Sequence, residues 1–303
     1  MSVYAALDIG SNSVRLLVGE VEKGRVRPLL QKLKSTRLMA GFREGRLARE
    51  ALERTCLGAK ELVELARTFP LAGMTAVATS AAREARNADL FLRRLETLAG
   101  IPVKIISGEE EACLTYRGAR AGLDAGPAEI LVVDVGGGST EFSWEEGDNL
   151  NLRSVPLGAV RCTEAAMTAA EIKLGLEPVL EEIRRQAPGR IIATGGTATT
   201  LAALEQGLTE YRSELVHGFT LRRDRIAWWR EYLAALPMEK RRRLAGLQPE
   251  RADIIVAGVT IIAAVLEGLR AEALTVSEAD LLWGLLLAAA EEGVRSVDMP
   301  GRF

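Results

Sequence analysis

Three short stretches of this chain have a composition suited to holding phosphate. They are Gly10-Ser11-Asn12-Ser13, Gly136-Gly137-Gly138-Ser139-Thr140, and Gly195-Gly196-Thr197 continuing to Thr200. Glycine lets backbone N–H groups converge on one point and lets an anion approach the main chain. Hydroxyl and amide side chains add further donors. One such turn is what any hairpin needs. Three of them, each following an apolar run that reads as a strand, predict a polyanion site. None ends in the Gly-Lys-Ser/Thr of a P-loop and none has G-x-G-x-x-G spacing. The predicted site is therefore built on β-turns.

Charged residues supply the rest of the chemistry. Asp134 and Glu141 flank the middle turn, one at the end of a strand and one early in the next. A hairpin brings both near one point. Mg²⁺ asks for a few carboxylates, with water and substrate phosphate oxygens completing its shell. The structural alternative is that Asp134 caps the turn and Glu141 faces solvent. In Ser107-Gly-Glu-Glu-Glu-Ala112, the pair Ser107 and Glu110 fits a capping box, and acids in a first turn suit the helix dipole. Glu111 is not needed for the cap, which leaves it as a candidate general base acting on water. Arg83 closely follows a strand and could fork onto phosphate oxygens, or be an ordinary salt-bridged residue.

These groups need elements to position them. Val3–Asp8 and Val14–Val21 read as strands joined by a tight turn, with a third strand near Val26–Leu33. A helix over Glu50–Arg67 follows from apolar residues at helical spacing. A strand at Met74–Ala78, helical sequence around Ala81–Leu98 and a strand at Val103–Ile106 come next. Asp124–Pro127 reads as a break. Beyond it, Val133–Ser139 repeats the pattern of Leu7–Ser13: an apolar strand ending Asp-x-Gly, a small polar turn, and another strand. One unit used twice is the simplest reading. A strand at Ile191–Ala193, a Gly-Gly turn, a helix from Thr197 and two long apolar helices complete the chain.

Composition narrows the field. The 303 residues are enough for two α/β domains, and the formal net charge of -2 gives no reason to expect DNA binding. The three scattered cysteines, Cys56, Cys113 and Cys162, suit apolar filling better than zinc or disulfides. With His217 as the single histidine, a His-rich metal site is excluded. A Ser-His-Asp triad has no G-x-S-x-G elbow to use. The apolar stretches Ile254–Leu269 and Leu281–Ala290 are short and interrupted, which predicts buried helices, no membrane partner and a cytoplasmic location.

The assembled motifs resemble the exopolyphosphatase / guanosine pentaphosphate phosphohydrolase (Ppx/GppA) family of the actin-like ATPase superfamily. The matching pieces are Asp8–Ser13, Ala78–Arg83, Ile106–Ala112, Val133–Glu141, Ala193–Thr197, Val216–Gly218 and Arg251–Gly258, so the likeness spans most of the chain. It implies an α/β fold of two tandem actin-like (ribonuclease H-like) domains with an interdomain cleft. The domains are expected at 1–124 and 125–303, with the last helix or tail returning to the first. It further implies Glu111 as catalytic base and Asp134 and Glu141 as Mg²⁺ ligands. Ser11, Asn12, Ser13, Arg83 and Gly136 to Thr140 would grip phosphate, and the Gly195-Gly196-Thr197 turn is counted with them. The substrate would be inorganic polyphosphate or a phosphorylated guanosine nucleotide, hydrolysed by water. By resemblance alone a homodimer is an option.

Two departures bear on the substrate. Leu282 and Trp283 stand where the family often has Arg-Glu, and Gly19 stands where a basic residue is usual. Both tilt the expectation toward polyphosphate. His217 reads as structural, Trp228 and Trp229 as packing residues, and Lys240–Arg243 as a solvated helix face or a path for a polyanion. Two rivals carry different chemistry. A non-catalytic polyphosphate or alarmone-binding regulator has no use for a base. An ATP-dependent actin-like kinase or ATPase needs an adenosine pocket and, for a sugar kinase, an Asp base.

Overall fold

The computed structural model describes residues 2–123, 130–147, 149–186 and 188–297. The Asp124–Pro127 break and the tail beyond residue 297 lie outside them. Packing divides the chain into two compact units, Met1–Gly122 with Leu281–Phe303, and Leu123–Asp280.

The first unit opens with a meander of β1 (Ser2–Ile9), β2 (Ser13–Glu22) and β3 (Arg25–Ser35). There follow α1 (Arg49–Ala66), β4 (Leu71–Ala78), α2 (Ser80–Glu84), α3 (Ala88–Ala99), β5 (Lys104–Ile105) and α4 (Gly108–Gly122). The sheet order is β3-β2-β1-β4-β5, with β4 parallel to β1 and β5 parallel to β4. The face of α1 carrying Leu52, Cys56, Ala59, Leu62 and Val63 is buried, as its spacing predicts. The helical sequence around Ala81–Leu98 is not one helix but two. Asn87 interrupts it by closing on the main chain of Leu47, its Oδ1 accepting from N at 2.9 Å and its Nδ2 donating to O at 3.1 Å. A contact forty residues away leaves no trace in local periodicity.

The second unit repeats the plan. A meander of β6 (Ile130–Val135), β7 (Thr140–Glu146) and β8 (Asn149–Val155) is followed by α5 (Ala159–Glu164), α6 (Ala169–Arg184), β9 (Arg190–Thr194), α7 (Gly195–Glu205), α8 (Ser213–Val216), β10 (Thr220–Arg222), α9 (Arg223–Ala235), α10 (Met238–Arg241), α11 (Ile255–Leu269) and β11 (Ala273–Val276). The sheet order is β10-β11-β9-β6-β7-β8. Strand β6 is buried at every position, as expected of a central strand covered on both faces. Helix α6 begins at a capping box between Thr168 and Glu171. Each sheet thus joins an antiparallel meander to parallel strands, the ribonuclease H-like plan.

The closing helix, α12 (Leu281–Val297), belongs to the first unit. It packs on α4 and the sheet, and Leu281, Leu282, Leu285, Leu286 and Leu287 enter the core with Leu17, Val21 and Val77. Gly19 faces this helix: a Cβ there would stand 3.0 Å from Leu286 Cδ1. The position is tight for any side chain, which gives Gly19 a packing reason beside its bearing on substrate. Leu282, also in the core, has a packing reason for its type. Among the described residues no helix is long and apolar enough to cross a membrane.

Candidate active site

In the first unit the β1–β2 turn is closed by Gly10 N donating to Ser13 O at 3.0 Å. Ser11, Asn12 and Ser13 are buried at 4%, 6% and 8% exposure. Ser11 Oγ and both side-chain atoms of the Asn12 amide have no hydrogen-bond partner among the described residues. Buried polar groups normally have partners, and three orphans in one turn fit a place filled by a ligand. Two residues before the turn, Asp8 accepts from Arg15 Nε and Nη2 at 2.9 and 2.7 Å.

Glu111 lies on the first turn of α4 and is 8% exposed. The capping box beneath it is present: Glu110 N donates to Ser107 Oγ at 3.0 Å and Ser107 N to Glu110 Oε2 at 2.9 Å. The hydrogen bond from Lys104, aided by the Ser107 amide, holds the Glu110 carboxyl below its usual value. Glu110 is thus occupied by structure and Glu111 is left to face Arg83. Arg83, on α2, donates through Nη1 to Ile106 O at 2.8 Å and to Glu111 Oε2 at 3.2 Å. Its Nε and Nη2 carry no hydrogen bond among the described residues. Arg83 therefore orients Glu111 and keeps two donor nitrogens for an anion.

In the second unit the β6–β7 turn repeats the closure, with Gly136 N donating to Ser139 O at 3.0 Å. Asp134 and Glu141 are directly opposed across the hairpin, and are 6% and 2% exposed. Two carboxylates at facing positions repel unless a cation or proton intervenes. Ser154 Oγ donates to Glu141 Oε1 at 2.8 Å. The turn is pinned from behind: Val160 N and Arg161 N donate to Gly137 O at 2.8 and 3.1 Å, and Arg161 Nε to Gly138 O at 2.6 Å. Thr140 donates its hydroxyl to Leu157 O at 2.6 Å, so that proton already serves the main chain.

The third turn joins the second in the same unit, because β9 is parallel to β6 with Thr194 opposite Asp134. The sequence reading began the helix at Thr197. In the structure α7 begins at Gly195, in the left-handed region at φ +84°, where a Cβ would stand 2.5 Å from Asp134 Oδ1. The Arg251 guanidinium lies over Gly196, and Thr197 packs beneath Gly258. Thr194 Oγ1 is buried beside Asp134 with no hydrogen-bond partner among the described residues.

The sequence reading did not single out Arg15, Ser154, Arg161 or Thr194. One signal was available: Arg15 follows Asp8 by the same seven positions that separate Glu141 from Asp134. Other residues find structural roles. His217 Nδ1 accepts from the Glu278 amide at 3.1 Å. Arg241 donates to the carbonyls of Ala252 and Leu236, which turns the centre of the Lys240–Arg243 run inward. Trp229 is buried, whereas Trp228 is 43% exposed and stacks on Tyr232, so only one of the pair packs in the core. Burial pushes the Cys56 thiol up to about 12, which suits filling and not reactivity.

The donor set at Asp134 and Glu141 fits Mg²⁺, since both supply hard oxygen ligands from a buried site. Among the described residues no group of three or more His, Cys, Asp or Glu could hold a metal ion. The pair would have to share the ion with water and phosphate oxygens, as Mg²⁺ tolerates.

The chain has close relatives among known proteins. Exopolyphosphatase 2 of Mycobacterium tuberculosis is 33% identical over 312 residues, covering 94% of this chain and 98% of the relative. The Ppx-GppA enzyme of Aquifex aeolicus superposes with a TM-score of 0.77 at 34% identity, covering 95% of this chain and 99% of that one. An exopolyphosphatase of Cytophaga hutchinsonii, 24% identical, shares the fold with a TM-score of 0.87 over 96% of this chain and 98% of its own. The sequence model of the Ppx/GppA phosphatase family matches residues 17–292. With the family model matching residues 17–292 and a relative 33% identical over 94% of the chain, the protein belongs to the Ppx/GppA phosphatase family.

Proposed function

We propose that the protein removes the terminal phosphate of inorganic polyphosphate by hydrolysis. The observation that carries this reading is the buried Asp134–Glu141 pair facing across a glycine turn, two hard oxygen donors of the kind that hold Mg²⁺ beside phosphate. The name of the Mycobacterium tuberculosis relative supports the substrate.

In this reading Glu111, oriented by Arg83, takes a proton from water as the water oxygen bonds to the terminal phosphorus. The bridging P–O bond breaks, and orthophosphate and a chain one unit shorter result. Ser11, Asn12 and the remaining donors of Arg83 hold phosphate oxygens. Asp134 and Glu141 would hold Mg²⁺, which supplies positive charge to offset that of the phosphate chain. Loose phosphoryl transfer asks chiefly for such positioning and electrostatics. Guanosine pentaphosphate presents the same terminal anhydride and is the second candidate substrate.

The test is phosphate release with Mg²⁺, comparing long-chain polyphosphate, guanosine pentaphosphate and ATP. Release from polyphosphate that stops on chelation is the expected result. Glu111→Gln should slow release by about 10²- to 10⁴-fold while polyphosphate still binds. Binding without release by the unaltered protein would favour a regulator, and preference for ATP would favour the kinase-like rival.

A further inference from the structure

The Gly10–Ser13 turn is held from outside its own hairpin. Thr36 N and Arg37 N donate to Asn12 O at 3.1 and 2.7 Å, and Met39 N donates to Ser11 O at 3.0 Å. The segment after β3 thereby fixes the main chain of the two residues whose buried side chains lack protein partners. That segment is itself constrained, since Arg37 sits at φ +52°, uncommon for a residue with a side chain.

Helix α1 supplies the anchor. Arg54 Nε donates to Thr36 O at 2.6 Å and Nη2 to Arg37 O at 3.3 Å. Four residues on, and so on the same face of the helix, a Cβ at Gly58 would stand 2.9 Å from Thr36 Cγ2. The segment lies flush on the helix there, and the absence of a side chain at 58 is what permits it.

We propose that Arg54 is a positioning residue for the phosphate turn, an inference that rests on the function proposed above. Arg54 grips the two carbonyls of residues whose amides grip Asn12, so the guanidinium sets the Ser11 and Asn12 side chains at second hand. The rigid fork of arginine can span two carbonyls, where lysine offers one point of attachment. Arg54 is otherwise an exposed side chain far from the motifs in sequence. Substitutions at such positions usually change stability little. A loss of substrate affinity at constant melting temperature is therefore an outcome that a merely structural role would not produce.

The experiment uses the full chain with Arg54→Ala, Arg54→Lys and Gly58→Ala. It measures melting temperature, kcat and KM on long-chain polyphosphate, and hydrogen exchange at the amides of Thr36, Arg37 and Met39. Arg54→Ala should raise KM about tenfold with a smaller change in kcat, and speed exchange at those amides. Arg54→Lys should recover part of the loss. Gly58→Ala, which pushes on Thr36 while leaving Arg54 in place, should give the same pattern. An unchanged KM in Arg54→Ala, or unchanged exchange at the three amides, would overturn the proposal. Should the unaltered protein release no phosphate from polyphosphate, the functional reading fails instead, and the exchange rates alone decide whether Arg54 holds the turn.

Discussion

In the first unit Asp8 faces Arg15 across its hairpin; in the second Asp134, at the same place in its strand, faces Glu141. The turns between them close with the same hydrogen bond at the same length. One backbone frame thus carries two electrostatic designs. The Asp8–Arg15 pair neutralises itself within the protein. The Asp134–Glu141 pair sets two carboxyls face to face in a buried place. The first hairpin sets a guanidinium against its carboxylate, whereas the second offers two hard oxygen donors.

The comparison can be broken by exchanging the partners. Glu141→Arg gives the second hairpin the pairing of the first. Phosphate release should fall about a thousandfold, with the melting temperature nearly unchanged. Retention of most activity would mean that Glu141 has no part in the reaction. The reverse exchange, Arg15→Glu, removes the partner of a mostly buried carboxylate and should cost about 3 kcal/mol, read from the denaturant midpoint. An unaltered midpoint would show that the pair does not secure the first hairpin.

The smallest expected effect compares one anchoring carboxylate from each unit. Burial tends to raise Glu205, but hydrogen bonds from Arg225 and Trp229 outweigh it and hold its carboxyl low. Glu110 is also held low, chiefly by Lys104. A depressed folded value means that each stabilises the protein above the ordinary glutamate range and loses that contribution as pH falls through the folded value. Glu205 is 20% exposed and Glu110 46%. Glu205→Gln should therefore flatten the fall of melting temperature with acidification, below the ordinary glutamate range, more than Glu110→Gln does. The opposite order would mean that the helix cap outweighs the enclosed cluster.

What the sequence disclosed was local. The Ser107–Glu110 cap is a relation between neighbours, and the repeated Asp-x-Gly hairpins are short patterns of strand and turn. Both could be read directly. The residues that escaped notice act across distance: Arg54 through a segment from another element, Arg161 on the back of a glycine turn, Asn87 on the main chain of Leu47. Nothing in the spacing of an arginine on an amphipathic helix says which carbonyl it will meet. The packing reason for Gly19 is hidden in the same way, because the side chain it faces, Leu286, is supplied by the last helix.

That helix has a consequence for how the chain is made. The core of the first unit includes leucines from 281 to 287, separated from the rest of their unit by the whole of the second. During synthesis from the N-terminus the second unit emerges entire before the first can be finished. The core of the earlier unit therefore cannot be completed until the last helix has been made, by which time the second unit has its whole sequence.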